Sequence, residues 1–386
     1  MPELSEGISA FAFDVYRKLG QDNSENIVFS PYSIWQALAM ICAGARGRTA
    51  QQIADALFFK LEKPALHYHL VRDLYADLVK RGNIKGISAN DSWTTTLRIA
   101  NALWVEQTFP FNSEYDTLIK QYYGGSLQRT DFANAPEDAR QQINDWVAAQ
   151  TAGRIQNIVP EGEISPITRL MLANTIYFYG SWRRCFDSFN TRDHDFHLLD
   201  GTTTSAPFMC QGFDLPYTQD EGFQIVEFPY EGSNFTFTVI MPDEGQFEAI
   251  ASELDANKLN KAIYKLRSTE VLVYLPKFKF DVGTSLAATL RSLGVVDAFD
   301  EATADFTKMI EGTLPQPLSI SDVRHKVFIC VDENGTEAAA TTLSWASYGI
   351  PVKRIEVRID RPFIFAIRDP RTGTLLFLGR VMNPRV

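Results

Sequence analysis

Cysteine is scarce in this chain: four residues, Cys42, Cys185, Cys210 and Cys330, are spread over 386 positions. So few thiols so far apart exclude a disulfide scaffold, and each reads as a small buried hydrophobe, free or in one bond at most. No CxxC or Cys/His pair has zinc spacing. Histidine is nearly as rare, with five residues. His67 and His69 would diverge on a helix, and His194 and His197 sit in a polar stretch with Asp193 and Asp195, so neither a metal site nor a cofactor is expected. The sequence also contains no GxSxG, HExxH, P-loop or GxGxxG pattern. Catalysis by this chain is not expected.

Positive charge is in short supply, with 37 Lys and Arg against 47 Asp and Glu and a net charge of -10. That balance argues against nucleic acid or an anionic membrane surface as the main partner. The most basic helical stretch, residues 64 to 82, mixes His67, His69, Arg72, Lys80 and Arg81 with Asp73 and Asp77. A solvated helix face accounts for it. Long apolar runs are missing too. Ile27 to Ala45 holds no charge, but Ser30, Pro31, Ser33 and Gln36 interrupt it, and it reads as a buried turn followed by a helix instead of a membrane span. Met1-Pro2-Glu3-Leu4-Ser5-Glu6 has neither a basic start nor an apolar run, so no signal peptide is expected here, and export would require a leader already removed.

What is present is core material. With 45% hydrophobic, 12% aromatic and 22% charged residues and no composition shift along the chain, one large domain over 1–386 is expected. Helical periodicity runs from about Ile8 to Leu19. Ser33 is expected to cap a helix from Ile34 toward Ala43, and Thr49 with Gln52 to form the capping box of the next one through Leu57. Further helices are expected over 64–82, 113–123 and Asp138 to Thr151, and a short one at Leu286, Leu290 and Leu293. Strands are expected over Leu97 to Val105, at Phe235, Phe237, Val239 and Met241 (half-buried by their alternation), and at Val271, Val273 and Leu275. Leu170 to Phe178 is an apolar run that suits a strand buried on both faces, and Asn174 inside it must find partners. A C-terminal pair turns at Asp369 to Gly373, and the mixture predicts an α+β domain.

One stretch fits none of these patterns. Val331 to Pro351 reads VDENGTEAAATTLSWASYGIP, turn chemistry followed by small residues at every second position. As a strand, Thr336, Ala338, Ala340, Thr342, Ser344, Ala346 and Tyr348 would share one face, and the single charge, Glu337, would fall on the other. A segment without a strand partner of its own thus has the pattern of a sheet insert. Taken alone, it also reads as a flexible Ala/Thr-rich linker.

Its neighbours decide between the two. Ile320 to Val327 upstream, with Arg361-Pro362-Phe363-Ile364-Phe365 and Leu376 to Pro384 downstream, flank Glu333-Asn334-Gly335-Thr336-Glu337-Ala338-Ala339-Ala340 in an order and spacing that resemble the serpin family. The resemblance extends through Ala43-Gly44-Ala45-Arg46-Gly47 to Ile143-Asn144-Asp145-Trp146-Val147, the latter similar to the family helix that crosses the central sheet. It implies a serpin fold, with a large central mixed β-sheet, additional sheets, eight to nine helices and an exposed reactive-centre loop at about 333–355. By the same resemblance, Glu333, Gly335, Thr336, Glu337, Ala338, Ala339 and Ala340 form the hinge. Ser30, Ser33, Asn174 and His325 form a polar cluster, the shutter, where the sheet opens. Trp182 marks the breach at the top, while Tyr179 departs from the lysine common there. Counting from Glu333 puts the reactive bond at Gly349-Ile350, or one residue earlier with Tyr348 as the specificity residue.

The function so implied is serine protease inhibition by a suicide substrate: cleavage, acyl-enzyme formation, loop insertion and covalent trapping, by a monomer that is metastable until cut. The expected partner is a chymotrypsin-, elastase- or subtilisin-like protease. A heparin-like polyanion is not expected at the mixed-charge helix. The usual family role implies an extracellular place, while the absence of a signal peptide leaves a cytoplasmic one open. The alternative within the same fold is a non-inhibitory carrier or chaperone.

Overall fold

The computed structural model describes residues 2–21, 24–59, 64–88, 91–313, 316–336 and 354–385. The chain begins α1 (Pro2–Leu19), β1 (Ile27–Phe29), α2 (Pro31–Gly44), α3 (Gly47–Ala56) and α4 (Pro64–Gly82). Then come β2 (Asn83–Ser88), β3 (Asp91–Glu106), α5 (Ser113–Tyr123), β4 (Ser126–Thr130), α6 (Pro136–Gln150) and β5 (Leu170–Ser181). The middle of the chain is β6 (Arg192–His197), β7 (Thr203–Asp220), β8 (Phe223–Pro229), β9 (Thr236–Pro242), α7 (Phe247–Glu253) and α8 (Ala256–Tyr264). It closes with β10 (Arg267–Pro276), β11 (Phe278–Ser285), α9 (Ala287–Ser292), β12 (Asp322–Asp332), β13 (Gly335–Thr336), β14 (Ile355–Arg358), β15 (Phe363–Arg368) and β16 (Leu375–Val381). These elements make an α+β fold with two mixed sheets.

One sheet runs β1-β16-β15-β9-β8-β7-β10-β14 with β6 on the edge of β7. The other runs β11-β12-β13-β5-β3-β2 with β4 on β3. Among the described residues no helix is long and apolar enough to cross a membrane, and no group of His, Cys, Asp or Glu is placed to hold a metal ion. The four cysteines form no disulfide.

Several local expectations yield to tertiary contacts. Ser30, not Ser33, caps α2: its Oγ accepts the Ser33 N–H at 3.2 Å, with Pro31 in the first turn where a missing N–H is harmless. The charge-free run is β1 followed by α2, and the helix is buried at every position except Ala43. The Thr49/Gln52 capping box does not form, because α3 starts earlier, at Gly47, and both side chains bond elsewhere. Thr49 Oγ1 accepts the Asp305 N–H at 3.0 Å, and Gln52 Oε1 accepts the N–H groups of Val296 and Asp297 at 3.0 and 2.8 Å. All seven residues of β9 are buried, so the half-buried expectation there fails. Packing on both faces explains this: Phe237, Val239, Ile240 and Met241, which point to opposite sides, all belong to the main apolar core, and α7 lies against the strand.

The seven-stranded sheet is packed on both faces. α2 lies against β3 and β5 on one side. On the other, Ile143 and Val147 of α6 join Ala102, Trp104, Met171 and Ala173 in a separate apolar cluster. Full burial of such an aliphatic side chain contributes about 1.5 to 3 kcal/mol, so α6 is held to the sheet by packing.

Candidate functional site

The seven-stranded sheet has a seam. β5 and β12 are parallel neighbours, but they pair only along Met171–Ile176 and Asp322–Val327. Above that point β13 separates them, antiparallel to both, with Thr336 opposite Val331 on one side and Gly180 on the other. The strands therefore meet below and part above.

A buried polar rung closes the lower part. Asn101 of β3, Asn174 of β5 and His325 of β12 are direct cross-strand neighbours, 4%, 0% and 1% exposed. His325 Nε2 accepts the Ser30 N–H at 3.0 Å, so Nδ1 carries the proton and donates to Asn174 Oδ1 at 2.5 Å. Asn174 Nδ2 donates to Ser33 Oγ at 2.7 Å, to Ser33 O at 2.9 Å and to Asn101 Oδ1. Asn101 Nδ2 in turn reaches Gln36 Oε1 at 3.4 Å, and Gln36 Nε2 donates to Tyr123 O at 2.6 Å. Ser30, Ser33, Asn174 and His325 thus come together, joined by Asn101 and Gln36, which sequence reasoning missed. Asn101 sits within a strand and Gln36 within a helix that were both expected. An isolated amide at a face position that must be buried was the available signal.

Burial pushes the His325 imidazole down to about 3, with only the contact to Asn174 opposing it. The ring is neutral at pH 7, as its tautomer requires.

The upper end is held by different means. Trp182 stacks on Tyr230 with centroids 4.8 Å apart and planes at 15°. Its Nε1 donates to Asp332 O at 2.9 Å and its backbone N–H to Asn334 O at 2.8 Å. Tyr230 OH meets Thr336 Oγ1 at 2.6 Å, and Thr336 is 1% exposed. Glu333 is tied by Lys277 Nζ at 2.7 Å and by the Thr191 hydroxyl at 2.8 Å. Burial alone would raise the Glu333 carboxyl, but those two donors outweigh it and hold it low. Gly335 is obligatory: a Cβ there would lie 2.0 Å from Gly180 O. Tyr230, Lys277 and Thr191 had no sequence signal, since each is remote along the chain. The other residues expected to form the hinge, Glu337, Ala338, Ala339 and Ala340, together with Tyr348, Gly349 and Ile350 of the expected reactive bond, lie outside the described residues.

Two expectations follow from this geometry. Gly335→Ala should expel Gly335 and Thr336 from between β5 and β12, because overpacking of this kind costs typically 1 to 3 kcal/mol. Amide exchange at Gly180 to Trp182 should rise and the thermal midpoint fall by several degrees; unchanged exchange would show that the wedge is not held by this contact.

The second concerns pH. An opened state exposes His325 with its ordinary value near 6.5, so it binds a proton the closed state excludes. Closure is fully favoured above 6.5 and loses up to about 1.4 kcal/mol per pH unit as pH falls toward 3. His67, away from the seam and lowered to about 4 by burial, adds to the pH dependence of global unfolding with the same sign. Unfolding midpoints measured from pH 7.5 to 5 should therefore drop on the acid side, and His325→Gln should flatten the slope; an equal slope in the variant would clear the imidazole.

The comparisons with known proteins agree with this geometry. The family model described as Serpin (serine protease inhibitor) matches residues 6–384. A serpin-like protein of Thermococcus kodakarensis is 38% identical over 382 residues, covering 98% of this chain and 85% of the relative. The leukocyte elastase inhibitor of Xenopus laevis is 34% identical over 392 residues and is covered throughout, as is this chain. Among solved structures, human thyroxine-binding globulin complexed with its hormone superposes with a TM-score of 0.87 at 29% identity, over 99% of both chains. A family of serine protease inhibitors thus also holds a hormone-binding relative. Matched by the family model over nearly its whole length, and by relatives above 30% identity over 98% or more of the chain, this chain belongs to the serpin family.

Proposed function

We propose that this chain is an inhibitory serpin, which traps a serine protease by inserting its cut loop into the seam between β5 and β12. The observation that carries the reading is the wedge: Gly335 and Thr336 already lie between the two strands in the antiparallel sense that a longer insert would need. Extending that register downward would bring Thr342 between His325 and Asn174, the residues that bridge the closed seam. Each further pair of positions would continue the face that Thr336 begins. Ala338, Ala340, Thr342, Ser344 and Ala346 are small and uncharged, which suits a face crowded by Ser33 and Tyr230. The carrier alternative gains nothing from these positions.

The chemistry belongs to the protease. Its serine attacks the displayed bond, proposed at Gly349-Ile350 with Tyr348 as the alternative specificity residue, and an acyl-enzyme forms. Once cut, the hinge side is free to pair, gaining on the order of 1 kcal/mol per new hydrogen bond. Over about a dozen positions this outweighs the distortion of an active site, and the protease loses its oxyanion geometry while still esterified. The uncut protein is held by a barrier: the rung at His325 must open before the strand can pass.

The decisive experiment is incubation with chymotrypsin-, elastase- and subtilisin-like proteases. A band of complex that survives boiling in detergent is expected, with a released peptide that begins at Ile350 or Gly349. Cleavage with no such band would end the inhibitory reading, and a peptide beginning at Arg354 or Ile355 would overturn the register.

Thr336→Arg tests the inward face. Burying an unpaired guanidinium beside Tyr230 costs several kcal/mol, so the variant should be cut as a substrate while its yield of covalent complex falls at least severalfold. An unchanged yield would refute the face assignment.

A further inference from the structure

Away from the seam, the C-terminal half of α2, the start of α3, α4 and the end of α5 enclose a cavity of about 290 Å³. Its wall is graded in polarity. Ala39, Cys42, Ala50 and Tyr123 are buried, at 1, 4, 5 and 1% exposure, whereas Arg46 and Lys308 are exposed and supply its mouth. Among the described residues no aspartate or glutamate lines it. The adjacent Arg48 is paired with Asp297 at 3.1 Å, but Arg46 and Lys308 have no ion pair among the described residues. Two cations facing an apolar recess with no countercharge among its described lining residues favour an anion.

His67 adds an independent observation. Its ring stacks on Phe59 with centroids 4.2 Å apart, and Nε2 is buried with no hydrogen-bond partner among the described residues. Buried polar atoms in native proteins are normally satisfied. With its pKa lowered to about 4 by burial, the imidazole is neutral and able to pair with a ligand oxygen through that nitrogen.

We propose that this cavity binds a small organic monoanion with an apolar body, a medium-chain carboxylate being the simplest, its tail against Ala39, Ala50 and Phe59 and its head between Arg46 and Lys308. The size fits. An apolar cavity of about 150 Å³ admits benzene, so roughly twice that volume admits a chain of about eight to ten carbons. The anion needs nothing from the reactive-centre loop, so this site stands apart from the inhibitory function and is tested on the uncut protein.

The test is calorimetric titration of the intact chain with decanoate and, as the uncharged control, decan-1-ol. A single saturable decanoate site is expected, with decanol weaker by about tenfold or more, since the head group supplies the charge pairing. Arg46→Glu combined with Lys308→Glu should weaken decanoate by about tenfold or more, and both exposed positions can be changed without touching the core. Ala43→Trp, which fills the recess, should abolish binding while protease trapping persists. Equal affinity for decanoate and decanol, several unsaturated sites, or decanoate binding untouched by the charge reversal would each overturn the proposal. Should Ala43→Trp fail to fold, the charge-reversed pair decides.

Discussion

The structure depends on two parallel strands that have not finished pairing. A gap between parallel neighbours in a sheet is ordinarily closed, because unpaired backbone groups inside a protein cost free energy comparable to a lost hydrogen bond. Here β5 and β12 close along their lower halves and accept a two-residue wedge above. Everything nearby manages that incompleteness. Below, a row of side-chain amides and an imidazole ties three strands to α2; above, Trp182, Tyr230 and the Glu333–Lys277 pair fix the wedge. A polar rung makes a good latch. Fully satisfied it costs little, but if one partner is withdrawn, each orphaned group costs about 1 to 3 kcal/mol. The seam therefore resists partial opening.

The same argument says why the latch is a neutral histidine. With Nε2 accepting from the Ser30 backbone, the ring can donate only through Nδ1, which points the hydrogen bond across the seam to Asn174. A protonated ring would have two donors and would lose its acceptor for Ser30. The burial that lowers its pKa thus also secures the direction of the bond. Ser30 in turn is placed by capping α2, so a local helix-start signal and a long-range strand pairing share one residue.

How much of this was legible in the sequence varied with the range of the interaction. The α+β class, the boundaries of α4 and α5 and the buried character of β5 followed from periodicity and apolar runs. Asn174 was conspicuous as a lone amide in such a run, whereas Asn101 and Gln36 gave a weaker signal of the same kind, and that they meet Asn174 follows only from the pairing of β3 with β5 and the packing of α2 on both. The capping box at Thr49 and Gln52 failed for the complementary reason. Its local pattern was present, but turns more than two hundred residues away claimed both side chains. The Glu333–Lys277 and Thr336–Tyr230 contacts join parts of the chain with no shared motif, so only the fold could bring them together.

The outer face of the sheet supplies the last step. In the register proposed for insertion, the odd-numbered positions of the loop would pass under α6, with Leu343 beside Ala173 and Trp345 beside Met171. Ala173 and Met171 belong to the apolar cluster with Ile143 and Val147 of α6, and Phe328 of β12 packs against it. Leu343 and Trp345, the two large apolar residues between 336 and 346, would thus arrive where an apolar surface already exists. The single charge, Glu337, would stay at the upper end, beyond that cluster. If the stretch inserts as proposed, small residues on the inner face and large ones at the far end of the outer face make one pattern: the inner face would slip past a crowded latch, while the outer face would gain burial only when insertion is nearly complete. Under the proposed insertion, such an order would place most of the driving force late, after the rung at His325 has opened.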